Sequence, residues 1–405
     1  MNNTEHKPLF NRRYLYWLMW AVAIAIVLLQ TLTREDVLLL ETGYSSERQA
    51  YWLEQPKQEQ VHTQLLIMTG PALSEQDMHR QRLISEGINQ HLASPALQEQ
   101  VSAWGWQISL TDAADHLLLE IISPGMPQPS QLESLTGLLQ QPATIDSDAL
   151  RQRIQAERYI QTQSPQPRLL QVAMSQLAAM SNANTAETGD YATAVLQLPW
   201  LITLSGPSLN LDASAAPQRE MDPQSSEQPL SQQPEPLLLQ GYQSEHHQLH
   251  AWPLKRPDTP EALARQRLSA DLLTQLLLQP LPGQPEYRLV WSPMSPMGYV
   301  AILLSHPSPE HLPTEQMLLD HLQQHLTDEL LQQSSRALMQ QTRQILDDPD
   351  GQRRWLNLLA RYQLPADSHQ AFLNTLETVT LAQMHEVISN LLPPATTIRI
   401  MLQPY

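Results

Sequence analysis

A chain of 405 residues is long enough for about two domains, and its 24 basic against 41 acidic residues give a formal charge of −17, which argues against a general nucleic-acid binder. The absence of cysteine excludes disulfides, thiolate zinc sites and a cysteine nucleophile. With 12 glycines and no G-x-S-x-G, phosphate-loop or dinucleotide motif, the sequence carries no serine-hydrolase or nucleotide-binding signature.

The first element is an uncharged apolar run at 14–33, YLYWLMWAVAIAIVLLQTLT. A helix of this length, at about 1.5 Å per residue, matches the roughly 30 Å core of a bilayer. Lys7, Arg12 and Arg13 precede it, and Arg34, Glu35 and Asp36 follow. The positive-inside bias therefore places 1–13 in the cytoplasm. No small-x-small cleavage site follows the run, so it reads as an uncleaved anchor and not as a signal peptide. The expectation is a single-pass protein of a bacterial inner membrane, with the bulk of the chain periplasmic.

A first α+β half is expected over 37–204. Short apolar or alternating runs at 37–41, 49–53 and 62–69 read as strands, and 74–91 as a helix. A hairpin follows, with Trp106, Ile108 and Leu110 alternating on one strand and Leu117, Leu119 and Ile121 on the next. Helices are expected at 131–140, 147–163 and 168–180. The stretch 206–236 carries six prolines among Ser, Gln, Asp and Glu and reads as a flexible loop. A second half over 237–405 repeats the order of elements. Strands are expected at 237–242, 248–252, 287–291, 298–305 and 397–403. Helices are expected at 260–278, 314–333, 335–346, 353–362, 368–376 and 381–391. A duplicated unit, each half a mixed or antiparallel sheet packed against a helical layer, accounts for this pattern. No sequence identity between the halves stands out.

Three stretches carry a family resemblance. They are Ala103-Trp-Gly-Trp-Gln-Ile-Ser-Leu-Thr with Asp115-His-Leu-Leu-Leu-Glu-Ile, then Leu150-Arg-Gln-Arg-Ile-Gln-Ala-Glu157 with Ser164-Pro165-Gln166-Pro167, and lastly Val379 to Pro394 with Ile398-Arg-Ile-Met-Leu. In order and spacing they resemble the insulinase/pitrilysin-type metallopeptidases, the inverted zincins, over roughly 37–405. The resemblance implies zinc held by two histidines of an HxxEH helix and by a distant glutamate. Histidines at i and i+4 share one helix face, and the motif's glutamate is the general base. Here the matching helix reads His79-Arg80-Gln81-Arg82-Leu83. Arg82 stands where the base should be and cannot accept a proton at neutral pH. Leu83 stands where the second ligand should be and has no donor atom. Glu157 lies 74 positions past Leu83, near the spacing of the third ligand. The chain therefore reads as a degenerate member without a zinc cofactor. His79 is expected to be a solvated helix residue, and Glu157 to pair with a base such as Arg153.

His321 and His325 repeat the i, i+4 spacing, with Gln324 in the base position, but no carboxylate follows about 75 residues on, where the chain reads Arg399-Ile400-Met401. A solvated helix face is the expectation. His246, His247 and His250 form another cluster, expected at a hairpin tip. Two function classes result. One is a non-catalytic partner of an active metallopeptidase relative, or a peptide-binding scaffold. The other is a zinc-dependent endopeptidase with a metal site rebuilt around His79 and Glu157 or around His321 and His325. For the first, the resemblance implies peptide docking by strand addition, and the strand with Trp106, Ile108, Ser109 and Leu110 is the candidate edge.

Overall fold

The computed structural model describes residues 40–180, 191–209, 211 and 235–405. The expected membrane span and most of the proline-rich stretch lie outside these residues. Among the described residues no helix is long and apolar enough to cross a membrane.

The first half contains β1 (Thr42–Ser45), β2 (Ala50–Glu54), β3 (Val61–Ile67), α1 (Glu75–Leu92), α2 (Pro95–Trp104), β4 (Gln107–Asp112), β5 (Leu117–Ser123), α3 (Pro129–Leu139), α4 (Ser147–Gln161), α5 (Pro165–Met180), α6 (Tyr191–Leu196) and β6 (Trp200–Gly206). The second half contains β7 (Leu237–Gly241), β8 (His246–Lys255), α7 (Pro260–Leu277), β9 (Glu286–Ser292), β10 (Met297–His306), α8 (Glu315–His325), α9 (Asp328–Asp347), α10 (Pro349–Tyr362), α11 (Ser368–Thr378), α12 (Leu381–Leu391) and β11 (Ile398–Pro404).

The strands form two sheets, ordered β1-β2-β6-β3-β5-β4 and β7-β11-β8-β10-β9. Leaving out β1, the two orders are the same. Each begins with one parallel pair, β2 with β6 and β7 with β11, and continues antiparallel. The expected duplication is thus real at the level of topology, and the fold is mixed α+β.

Residue pattern explains the placement of these elements. Along β5 buried and half-buried residues alternate, as a strand with one face on a core requires. Ser74 and Asp77 form a capping box that starts α1, satisfying donors that the helix cannot. Gly87 lets the Tyr191 ring lie against α1, because a Cβ there would come within 2.2 Å of it.

The two halves exchange a helix. Leu169, Ala173 and Leu177 of α5 are packed into the core of the second sheet, with Leu249, Ile398 and Ile400. In return α10 meets the first sheet: Asn357 accepts from Thr203 of β6 at 2.7 Å, and Gln55, just past β2, donates to Gln352 at 2.8 Å. Residues 42–405 accordingly form one compact unit.

Several expected bounds change. The strand expected at 37–41 falls largely outside the described residues, and β1 forms at Thr42–Ser45 instead. Helix α2 is an addition to the expected elements: Ser94 caps it and Gly105 ends it with φ 68°, a left-handed conformation that glycine adopts at little cost. Trp106 precedes β4 and does not belong to it. The helix expected at 314–333 breaks at Leu326, and Thr327 caps α9 through the Leu330 N–H.

Candidate functional site

Helix α1 carries three of the four positions that the family resemblance singles out. His79 is buried, contrary to expectation, and its Nε2 lies 3.3 Å from Ser147 Oγ at the start of α4. Leu83 is buried in the core beneath the first sheet, with Ile84 and Ile88. Arg82 points outward, 3.4 Å from the Asp112 carboxylate at the end of β4. Ser85 donates to the same carboxylate at 2.8 Å. The fourth position, Glu157, is exposed on α4. It sits ten residues, or about 15 Å of helix, beyond the Ser147 that touches His79. The expected pairing with Arg153 does not form; Arg153 reaches Glu86 at 2.6 Å instead.

These four residues do not make a zinc site. Zinc needs converging N, O or S donors, whereas one position is hydrocarbon in a core, one is a cation and one carboxylate faces solvent. Among the described residues no three His, Asp or Glu side chains converge as metal ligands.

The other histidines are also more buried than expected. His321 lies with Leu318 and Leu322 on the buried side of α8. Its ring is 4.1 Å from that of His325, whose Nδ1 donates to the His321 carbonyl at 2.9 Å. Burial lowers the His321 pKa, and His325 lowers it further. His246, His247 and His250 belong to β8, which is paired on both sides by β10 and β11, so they are not at a hairpin tip. His250 is fully buried, with its pKa pushed down to about 4 by burial and by the Arg399 guanidinium. Its Nε2 lies 2.8 Å from Gln248 Nε2, a contact in which the amide donates to a neutral imidazole.

Strand β4 is an edge of the first sheet, paired with β5 on one side only. Ile108 and Leu110 pack against the core, while Gln107, Ser109, Thr111 and Asp112 are exposed. Asp115 lies in the hairpin turn between β4 and β5. It is 1% exposed in its side chain, 2.8 Å from Arg361 of α10, and accepts from the Ser295 N–H at 2.6 Å.

No protein-family model matches the chain, and no curated protein matches it. Solved structures do match. The inactive M16 peptidase domain of Pseudomonas fluorescens gives a TM-score of 0.54 at 14% identity, covering 91% of this chain and 98% of that one. The chain has the M16 peptidase fold. The periplasmic protease PqqL of Escherichia coli gives 0.55 at 11% identity, with 90% of this chain and 46% of that one covered. The ferredoxin protease FusC, in complex with Arabidopsis ferredoxin, gives 0.53 at 14% identity with coverages of 90% and 46%. The chain thus spans about half of each protease and nearly all of the inactive domain. The insulinase/pitrilysin resemblance read from the three sequence stretches is borne out in the M16 fold.

Proposed function

We propose that this protein is a non-catalytic M16-fold scaffold that binds polypeptide and works beside an active metallopeptidase relative, anchored in a bacterial inner membrane by residues 14–33. The observation that carries the non-catalytic reading is the state of α1. Arg82 is paired with Asp112 and Leu83 is buried in the core, which supports reading α1 as a helix without the base and second ligand that the resemblance implies. The polypeptide-binding reading is supported by the open edge of β4 and by a neighbour of the same fold, FusC, whose structure holds a protein bound to it.

The test is elemental analysis and peptide cleavage by the purified full-length chain. No stoichiometric zinc and no cleavage of an unfolded peptide are expected. About one zinc per chain, lost on His79→Ala, would overturn the reading. The anchor is tested separately by reporters fused after Tyr405. A periplasm-dependent reporter should be active, and activity of a cytoplasm-dependent reporter would refute the topology.

A further inference from the structure

Helices α1 and α7 hold the same place in the two halves, and both are 18 residues long, starting after hydroxyl caps Ser74 and Thr259. Counted from their first residues, Arg80-Gln81-Arg82-Leu83 and Arg265-Gln266-Arg267-Leu268 occupy the same four positions. Arg267 is therefore the second-half counterpart of Arg82.

Their surroundings differ in one decisive group. Arg82 has the Asp112 carboxylate at 3.4 Å, supplied by the last residue of β4. The matching strand, β9, ends in Ser292, which pairs with Tyr299 as Asp112 pairs with Leu117. No carboxylate arrives there. Arg267 instead lies across the Trp355 ring at 5.8 Å, burial works against its charge, and only the Tyr362 phenol is set to favour it.

A cleft of about 420 Å³ opens beside Arg267, between α7, α9, α10 and the β9–β10 turn. Trp291, Leu338, Leu358 and Tyr362 give it apolar walls, and Asp271 lines it one helical turn beyond Arg267. A guanidinium offers a planar pair of donors that matches a carboxylate, and apolar walls strengthen such a contact by excluding water. Asp271 disfavours a bare inorganic anion, but it can accept from the N–H groups that accompany a carboxylate on a peptide. We infer that this second-half cleft binds a carboxylate group of a peptide, held by Arg267 in the role that Asp112 fills beside Arg82. The ligand class rests on the polypeptide-binding function proposed above.

The experiment measures fluorescence anisotropy of a labelled Ala-Ala-Ala-Leu peptide with the full-length chain in detergent. The free acid is compared with the C-terminal amide, and with an amidated peptide carrying an internal glutamate. The acid should bind on the order of tenfold more tightly than the amide. Arg267→Gln should abolish that difference, Arg267→Lys should keep part of it, and Arg82→Gln should leave it unchanged. Recovery of affinity by the internal glutamate would support a site for side-chain carboxylates; no recovery would support a site for the C-terminus. Equal binding of acid and amide, or a preference that survives Arg267→Gln, would overturn the inference. So would competition by inorganic phosphate at the affinity of the peptide acid. If Arg267→Gln does not fold, the acid–amide comparison on the native chain decides alone. Equal acid and amide affinities that both fall on Leu110→Pro in β4, whose N–H faces the open edge, would sink this inference while leaving the proposed function standing. Acid preference lost on Arg267→Gln and insensitive to Leu110→Pro would locate binding in the cleft and not at the edge.

Discussion

At the residue scale, the histidines show how burial changes the meaning of a side chain. His250 has an ordinary imidazole pKa of 6.5 when unfolded and about 4 in the folded chain. Between those values the unfolded state binds more protons than the native state, so stability rises with pH through this window. About 3 kcal/mol of stability present above pH 6.5 should be lost progressively as pH falls toward 4. Urea titrations across that range should show the decline, and His250→Gln should flatten it. An unchanged slope in the variant would mean that other groups carry the acid sensitivity. His79 illustrates a different outcome. Its partner is the Ser147 hydroxyl, so a histidine that the family resemblance reads as a ligand position is part of the contact between α1 and α4.

At the element scale, β4 and β5 form one hairpin but tolerate change differently. β5 is paired on both sides, by β3 and β4, whereas β4 is paired only with β5. Proline removes a backbone donor and is accommodated on edge strands but not in central ones. The Ala113 N–H donates to the His116 carbonyl, and in this register the Ser109 N–H faces β5 while the Leu110 N–H faces the open edge. Leu110→Pro should keep the β4–β5 ladder and weaken polypeptide binding roughly tenfold if strand addition uses this edge. Leu119→Pro, in the fully buried middle of β5, should prevent folding. Circular dichroism and anisotropy measured on the same preparations separate these outcomes. Unchanged binding by a folded Leu110→Pro variant would remove the edge from the function.

At the scale of the whole molecule, the exchange of α5 and α10 makes the two halves interdependent. The seam between them also contains a buried ion pair. Asp115, from the first-half hairpin, meets Arg361 of α10 and the Ser295 N–H of the β9–β10 turn. Asp115→Asn leaves Arg361 without its carboxylate in a site where the arginine side chain is 16% exposed. Removing one partner of such a pair costs about 3–5 kcal/mol. Thermal or urea unfolding should show that loss in a single transition of the described unit. A loss confined to a separate first-half transition would argue against the interdependence.

Much of the fold was legible because it rests on local periodicity. The alternation of Leu117, Leu119 and Ile121, the leucine stripe of α7, and the repeated order of strands and helices are written along the chain, and they suffice to indicate a duplicated α+β unit. Arg82 and Leu83 likewise disclose their chemistry by residue type alone. Tertiary structure decided what depends on contacts remote in sequence. His79 and His321 are buried where the sequence suggests solvated faces, because a helix pattern does not reveal which neighbour covers it. α2 is not legible in the sequence because only Leu97 and Val101 of its ten residues are buried, too few to print a stripe. The shared Arg-Gln-Arg-Leu of α1 and α7 is too short to stand out in sequence. It gained meaning only when the sheets fixed equivalent helices and showed that one arginine has Asp112 beside it and the other an open cleft.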